Sequence, residues 1–550
     1  MPVRLINRTP SAYAYPLLIK NLLLTPLIYS PHQEIVYRDL RRHDYVTFRQ
    51  RIAKLAHALK NLGINSGDTV GVMDWDSHRY LECYFTIPMM GAVLHMVNIR
   101  LSPEQILYTI NHAEDDVLLV NSDFLPLLES IRGELKTVKK VIILSDSGKK
   151  PQSTVNLDGE YEELLSHSNG DYDFPDFDEN TMATLFYTTG TTGLPKGVYF
   201  SHRQLVLHTF GTIGGLFAFK SQFPINSGDV YMPLTPMFHV HAWGLPYVWT
   251  LLGAKQVYPG RYEPATILKL IQFEKVTFSH CVPTILHMLL SSPDISHVNL
   301  SGWNVLIGGS ALPKSLCKTA LQLGINLAVG YGMSETAPVL TIANLKPHML
   351  DWDIDKQVEI RCRTGLPIPL VNLRVVDEEG VEVAHDGRSV GEVVVRSPWL
   401  SQGYARDPER AEQLWSGGWL HTGDMGWIDQ EGYLQVTDRI KDVIKTGGEW
   451  ISSLLLEDLM ARHEAVSEAA AIGIPDDKWV ERPLIFVVLK DEAKGTVSEA
   501  DLKTFFMEFV ENGIIPKYAV PDRIVLANNI AKTSVGKIDK KALRKQLDQK

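Results

Sequence analysis

Cysteine is scarce: four residues in 550, at Cys83, Cys281, Cys317 and Cys362, with no CxxC pair among them. That spacing excludes a cysteine zinc site and a disulfide framework, and it suits a reducing, cytoplasmic compartment. Net positive charge is also lacking. Fifty-four Lys and Arg against 64 Asp and Glu give a formal charge of -10, which offers no electrostatic footprint for nucleic acid or an anionic membrane. Long unbroken apolar runs are missing too. The apolar stretch at 12–30 is interrupted by Lys20, Asn21 and two prolines, so it fits neither a membrane span nor a signal peptide, and we expect a buried leading segment. No internal repeat or low-complexity segment is present.

What is present is length, more than one hydrophobic core can serve, so several folding units are expected. From residue 46 to about 328, helix-spaced apolar stretches such as 48–62 alternate with short β-rich runs at 69–73, 117–120 and 141–144, a pattern that favours layered α/β structure. The texture changes after Gly365. Runs at 373–376, 392–396 and 433–436, separated by turns such as Glu378-Glu379-Gly380, predict a β-rich subdomain over about 340–438. A third texture follows Arg439: a helix over 454–463, strands at 469–474 and 484–489, and a helix opened by the pair Ser498 and Asp501. The expected fold is therefore α/β: a large N-terminal region (1–438) of two α/β parts and a β-rich part, a charged hinge at 439–441, and a smaller mobile α+β domain (442–550).

One loop carries chemistry by composition. Thr188, Thr189, Gly190, Thr191, Thr192, Gly193, Leu194, Pro195 and Lys196 concentrate hydroxyls, glycines and an ammonium between two apolar runs. Glycines let backbone N–H groups approach an anion, and the threonines and lysine add donors and charge, so the loop is suited to phosphate. A Walker A loop is excluded because Gly197 follows the lysine where Ser or Thr is required. The following Val198-Tyr199-Phe200 reads as a strand, whereas a Walker A loop opens into a helix.

Further segments narrow the ligand. Pro236-Met237-Phe238-His239-Val240-His241-Ala242-Trp243, Gly308-Gly309-Ser310-Ala311, Gly330-Tyr331-Gly332-Met333-Ser334-Glu335-Thr336, Trp419 to Asp424, Asp438 to Asp442, Gly447-Gly448-Glu449-Trp450 and Thr533 to Lys537 follow in that order. Together with the threonine loop, they resemble the adenylate-forming superfamily of acyl-CoA synthetases, luciferases and adenylation domains, over nearly the whole chain. Within it, PMFHVHAW, SGGWLHTGD and GGEWIS look most like bacterial medium- and long-chain fatty acyl-CoA synthetases.

The resemblance implies ATP, Mg²⁺ and coenzyme A as co-substrates and cofactor, a small-molecule carboxylic acid as substrate, and a homodimer among the possible assemblies. It implies that Thr188 to Lys196 wrap phosphates and that Glu335, with Thr188, holds Mg²⁺, a cation that prefers oxygen. Tyr331 would stack on adenine, Gly309, Ser310 and Ala311 would approach it, and the 330–334 turn would line the same site. Asp424 would accept from the ribose hydroxyls with Arg439 in support. Lys537 would bridge the attacking carboxylate and the α-phosphate. His239 would border the carboxylate and Trp243 would gate the acyl tunnel. For thioester formation the tail domain would swing about Lys441 and present Gly447, Gly448, Glu449 and Trp450 to CoA. The implied alternatives are another acid (short-chain, thioether or aromatic) or the loading of a carrier protein.

Each residue also has a plainer explanation. Tyr331 and Trp243 suit a core, His239 and His241 suit a half-buried strand or loop, Glu335 suits a cap, and Lys537 belongs to a basic tail that would ordinarily be a solvated helix face. The stretch 210–229 matches no motif.

Overall fold

The structure, a computed structural model, describes residues 3–188, 194–446, 449–476, 478–533 and 537–548. Two large sheets organise the N-terminal region. The seven-stranded sheet runs Gly159–Glu160, Lys140–Leu144, Val117–Asn121, Thr69–Met73, Val93–Met96, Met182–Thr188, Lys196–Ser201. Its central strands are parallel and buried throughout, which is why they read as continuous Val/Leu runs. Helices cross between them, one of them (Pro103–Ala113) opened by a capping box between Ser102 and Gln105.

A nine-stranded sheet packs beside it in the order Leu366–Pro367, Val339–Ile342, Asn326–Gly332, Asn304–Ile307, Phe278–Cys281, Val230–Leu234, Lys255–Tyr258, Glu34–Tyr37, Arg41–Asp44. Four strands of this sheet, Val230–Leu234, Phe278–Cys281, Asn304–Ile307 and Asn326–Gly332, are mutually parallel and end together. Ligands of open α/β sheets bind at such carboxyl ends.

The β-rich part begins later than its sequence texture suggests. Val339–Ile342 pairs antiparallel with Asn326–Gly332, and Leu366–Pro367 pairs with Val339–Ile342; both extend the nine-stranded sheet. The separate five-stranded sheet starts at Asn372–Val376 and closes with Leu434–Arg439. The leading segment is only partly buried: Leu18, Ile19, Leu22 and Leu23 enter the core, while Tyr13, Tyr15, Ile28 and Tyr29 are exposed. The unassigned stretch is half helix, since His202–Phe217 runs through its first residues.

Beyond residue 443 a second five-stranded sheet, centred on Val466–Asp476 and Val480–Leu489, carries the helices Ser453–Met460, Glu499–Glu511 and Lys540–Asp548. Ser498 and Asp501 form the expected capping box. Its apolar residues make clusters of their own, separate from the large core that runs from Ile19 to Leu434. Among the described residues no helix is long and apolar enough to cross a membrane.

Candidate active site

The four parallel strand ends open into a cavity of about 80 Å³, at the carboxyl ends where open α/β sheets bind their ligands. His239, Trp243, Gly309, Gly330, Tyr331, Gly332, Met333, Ser334 and Lys537 line it, all named from sequence. The last comes from the C-terminal part. Lys537 reaches the N-terminal wall so closely that a β-carbon at Gly309 would lie 3.4 Å from its Cε. Gly309 also has φ +84°, so this turn needs glycine for its backbone as well as its space. Contrary to the solvated-face expectation, Lys537 is half-buried and Lys540 turns inward to an ion pair with Glu457 at 2.8 Å.

Burial and the nearby Arg439 guanidinium push the Lys537 ammonium down to about 8, against the opposing pull of Asp424 and Glu335. His239 is pushed down to about 3 by desolvation, with Lys537 and Arg100 adding to it, so its imidazole is neutral at physiological pH.

The acids Asp424 and Glu335 are buried and lie outside the cavity lining. Asp424, 4 % exposed, accepts from the Tyr331 hydroxyl at 2.7 Å and forms an ion pair with Arg439 Nε at 3.2 Å. Tyr331 and Asp424 are thus one unit, a link that spans two motifs. Glu335 accepts from the Tyr404 hydroxyl at 2.7 Å, and the Lys196 ammonium lies 4.6 Å from the centre of the Tyr404 ring. Thr188 pairs with Lys196 in the hairpin that carries the threonine loop, so this loop does join two strands. A buried carboxylate beside hydroxyl donors is an oxygen-rich setting that fits a hard cation such as Mg²⁺. Among the described residues there is no cluster of three or more His, Cys, Asp or Glu.

The wall bearing His239 and Trp243 has an unusual backbone. Val240, His241, Ala242, Trp243 and Gly244 all have positive φ, at 48°, 57°, 44°, 59° and 73°: a left-handed turn rather than the half-buried strand or loop expected for His241. Each non-glycine residue there costs roughly 1–2 kcal/mol, so the surroundings must hold it. Asp76 accepts from the Met237 N–H at 2.8 Å, the Tyr84 hydroxyl donates to the Met237 carbonyl, and fully buried His241 is 2.8 Å through Nε2 from the Thr184 hydroxyl. Desolvation pushes the Asp76 carboxyl up to about 7. The turn places the Trp243 indole over position 308, where a β-carbon would lie 2.8 Å from Trp243 Cη2 and 2.8 Å from the Gly330 carbonyl oxygen.

Some expected residues lie elsewhere. Ser310 and Ala311 are exposed outside the lining, and Lys441 is in an exposed turn just after Leu434–Arg439. Glu449 and Trp450 lie on the strand Glu449–Ile451. Thr189, Gly190, Thr191, Thr192, Gly193, Gly447 and Gly448 lie outside the described residues. The sequence reading missed Arg100 and Tyr262, which also line the cavity. Neither stands in a motif, and only the sheet order brings them there.

With this geometry in place, the comparisons with known proteins agree. Residues 29–405 match the AMP-binding enzyme family and 455–537 match the AMP-binding enzyme C-terminal domain. A long-chain-fatty-acid–CoA ligase of Thermus thermophilus is 42% identical over 94% of this chain and 92% of its own length. A 3-methylmercaptopropionyl-CoA ligase of Ruegeria lacuscaerulensis is 36% identical over 96% and 97%. Among solved structures, the anthranilate CoA ligase AuaEII with anthranoyl-AMP superposes with a TM-score of 0.83 at 25% identity, covering 97% of this chain and 98% of that one. The chain belongs to the AMP-binding, adenylate-forming enzymes, and within them to the acyl-CoA ligases.

Proposed function

We propose that the protein is an ATP-dependent acid:CoA ligase that converts a medium- to long-chain fatty acid to its acyl adenylate with release of pyrophosphate, then to acyl-CoA with release of AMP. The observation that carries this reading is Lys537, delivered by the C-terminal domain into a cavity whose far wall is His239 and Trp243. In the first half-reaction a carboxylate attacks the α-phosphorus while charge builds between two anions. An ammonium at the cavity wall lowers that barrier by bridging them. Neutral His239 orients the carboxylate, and the acyl tail leaves past Trp243.

Tyr331 offers its ring to adenine while its hydroxyl fixes Asp424 for the ribose. Arg439 steadies the same carboxylate and adds positive charge beside the phosphates. The threonine loop with Lys196 takes the departing pyrophosphate. Glu335 and Thr188 would hold Mg²⁺, which when bound neutralises phosphate charge. For the second half-reaction we assign Lys441 as the pivot between residues 1–438 and 442–550, and Gly447, Gly448, Glu449 and Trp450 as the surface that admits the pantetheine arm. The separate apolar clusters of the two parts support such a rotation. The four free thiols suit a cytoplasmic enzyme.

The test is pyrophosphate exchange with a panel of straight-chain, thioether and aromatic acids, followed by assay for CoA thioesters. Exchange with straight-chain acids and thioester formation are expected. Exchange with none of the panel would defeat adenylation, a thioether or aromatic preference would replace the fatty acid, and adenylate without thioester would point to a carrier protein.

A further inference from the structure

We infer that His280, backed by Tyr231, is the end wall of the acyl pocket and limits the acid to a medium-length chain. This rests on the fatty-acid reading and narrows it. In the parallel register Tyr231 pairs with Phe278 and Pro233 with His280, so Tyr231, Phe278 and His280 share one face of the sheet. The Trp243 indole covers that face, with its ring centre 5.0 Å from the His280 ring. Behind it the rings continue without a gap. His280 stacks on Tyr231 at 5.8 Å and 8°, and Tyr231 stacks on Trp249 at 5.5 Å and 12°. Trp249 in turn meets Phe278 at 5.1 Å and Phe217 at 5.7 Å. His280, Tyr231, Trp249 and Phe278 are all 0 % exposed.

A tail that displaces Trp243 therefore gains the volume of one indole and then meets an imidazole held from behind. Such a stack is close-packed, and making room in it disturbs every ring in turn. The Tyr231 hydroxyl lies 2.9 Å from His280 Nε2 and locks the imidazole in place. Its Nδ1 is buried without a hydrogen-bond partner among the described residues, a cost an apolar side chain of similar size would avoid.

The test measures kcat/KM for thioester formation from saturated acids, butanoate through hexadecanoate, with wild type, His280→Ala, His280→Leu and Tyr231→Phe. Wild type should fall roughly tenfold or more between decanoate and tetradecanoate, the scale at which pockets discriminate size. His280→Ala should raise tetradecanoate relative to octanoate by roughly tenfold while octanoate itself stays within a few-fold. His280→Leu, which keeps the bulk, and Tyr231→Phe, which keeps the ring, should retain the limit. If a melting curve shows His280→Ala unfolded, His280→Val carries the same comparison. A wild-type preference for hexadecanoate, or superimposable profiles for wild type and His280→Ala, would overturn the end wall and leave the fatty-acid reading standing. Turnover of no straight-chain acid by any form would overturn both.

Discussion

The two halves of the site are held in different ways. The stationary wall belongs to the main core: parallel strand ends, stacked rings behind Trp243, and a left-handed turn fastened by Asp76, Tyr84 and Thr184. The C-terminal part has its own apolar clusters and meets the strand Leu434–Arg439 through polar contacts, such as the Ser453 N–H donating to Asp438 at 2.5 Å. On the proposed reading, a close-packed wall would fix which acid fits, whereas a polar joint could be broken and remade within a catalytic cycle. Selectivity and reaction order are, on that reading, lodged in different parts of the chain.

Removing the contribution of the C-terminal half should give the largest effect. Lys537→Ala should lower pyrophosphate exchange by roughly a thousandfold, the upper range for one transition-state donor, while thioester formation from supplied acyl adenylate stays within a few-fold; equal losses would erase the distinction drawn here. A change in the wall should show in binding instead. Asp424→Ala leaves the Tyr331 hydroxyl and Arg439 without their shared acceptor, and the KM for ATP should rise by about tenfold to a hundredfold, which titration of initial rates against ATP will measure.

Acidity separates the halves next. Lys537 is pushed down to about 8, so the free enzyme loses its ammonium as pH rises through that value. The kcat/KM for adenylation should fall about tenfold per pH unit above it. His239, far below its ordinary value, should add no limb between pH 5 and 8, a window that spans the unperturbed imidazole. A profile flat to pH 10, where an unperturbed lysine begins to titrate, would place Lys537 outside the rate-limiting chemistry. The smallest effect belongs to the root of the moving part. Arg544 and Asp442, 3.0 Å apart, tie the last helix to the residue after Lys441. The pair is partly exposed, worth at most about 1 kcal/mol, so Arg544→Ala should change the ratio of adenylation to thioester formation by no more than a few-fold in paired assays.

Much of this was legible in the sequence because it lies in contiguous stretches. The 330–335 turn, Asp424 and Lys537 each stand in a short segment of recognisable composition, and the buried strands announce themselves as apolar runs. What could not be read arises across the sheet. Arg100 and Tyr262 reach the cavity from outside any motif, and the stack of His280 on Tyr231 depends on a register between strands whose connection includes Lys255–Tyr258 and a helix. The start of the β-rich part was misplaced for a similar reason. Val339–Ile342 has the same local pattern whichever sheet it joins, and only its pairing with Asn326–Gly332 decides.

The left-handed turn was invisible because nothing in Val240-His241-Ala242-Trp243 prefers it. That mismatch reverses the usual sense of mutational tolerance. Across most of a folded chain a glycine substitution loosens the protein, but within these four positions glycine is the residue the backbone would choose. The side chains there stand against their own conformational preference, so glycine at any of the four should relieve backbone strain even as it removes a side chain from the cavity wall.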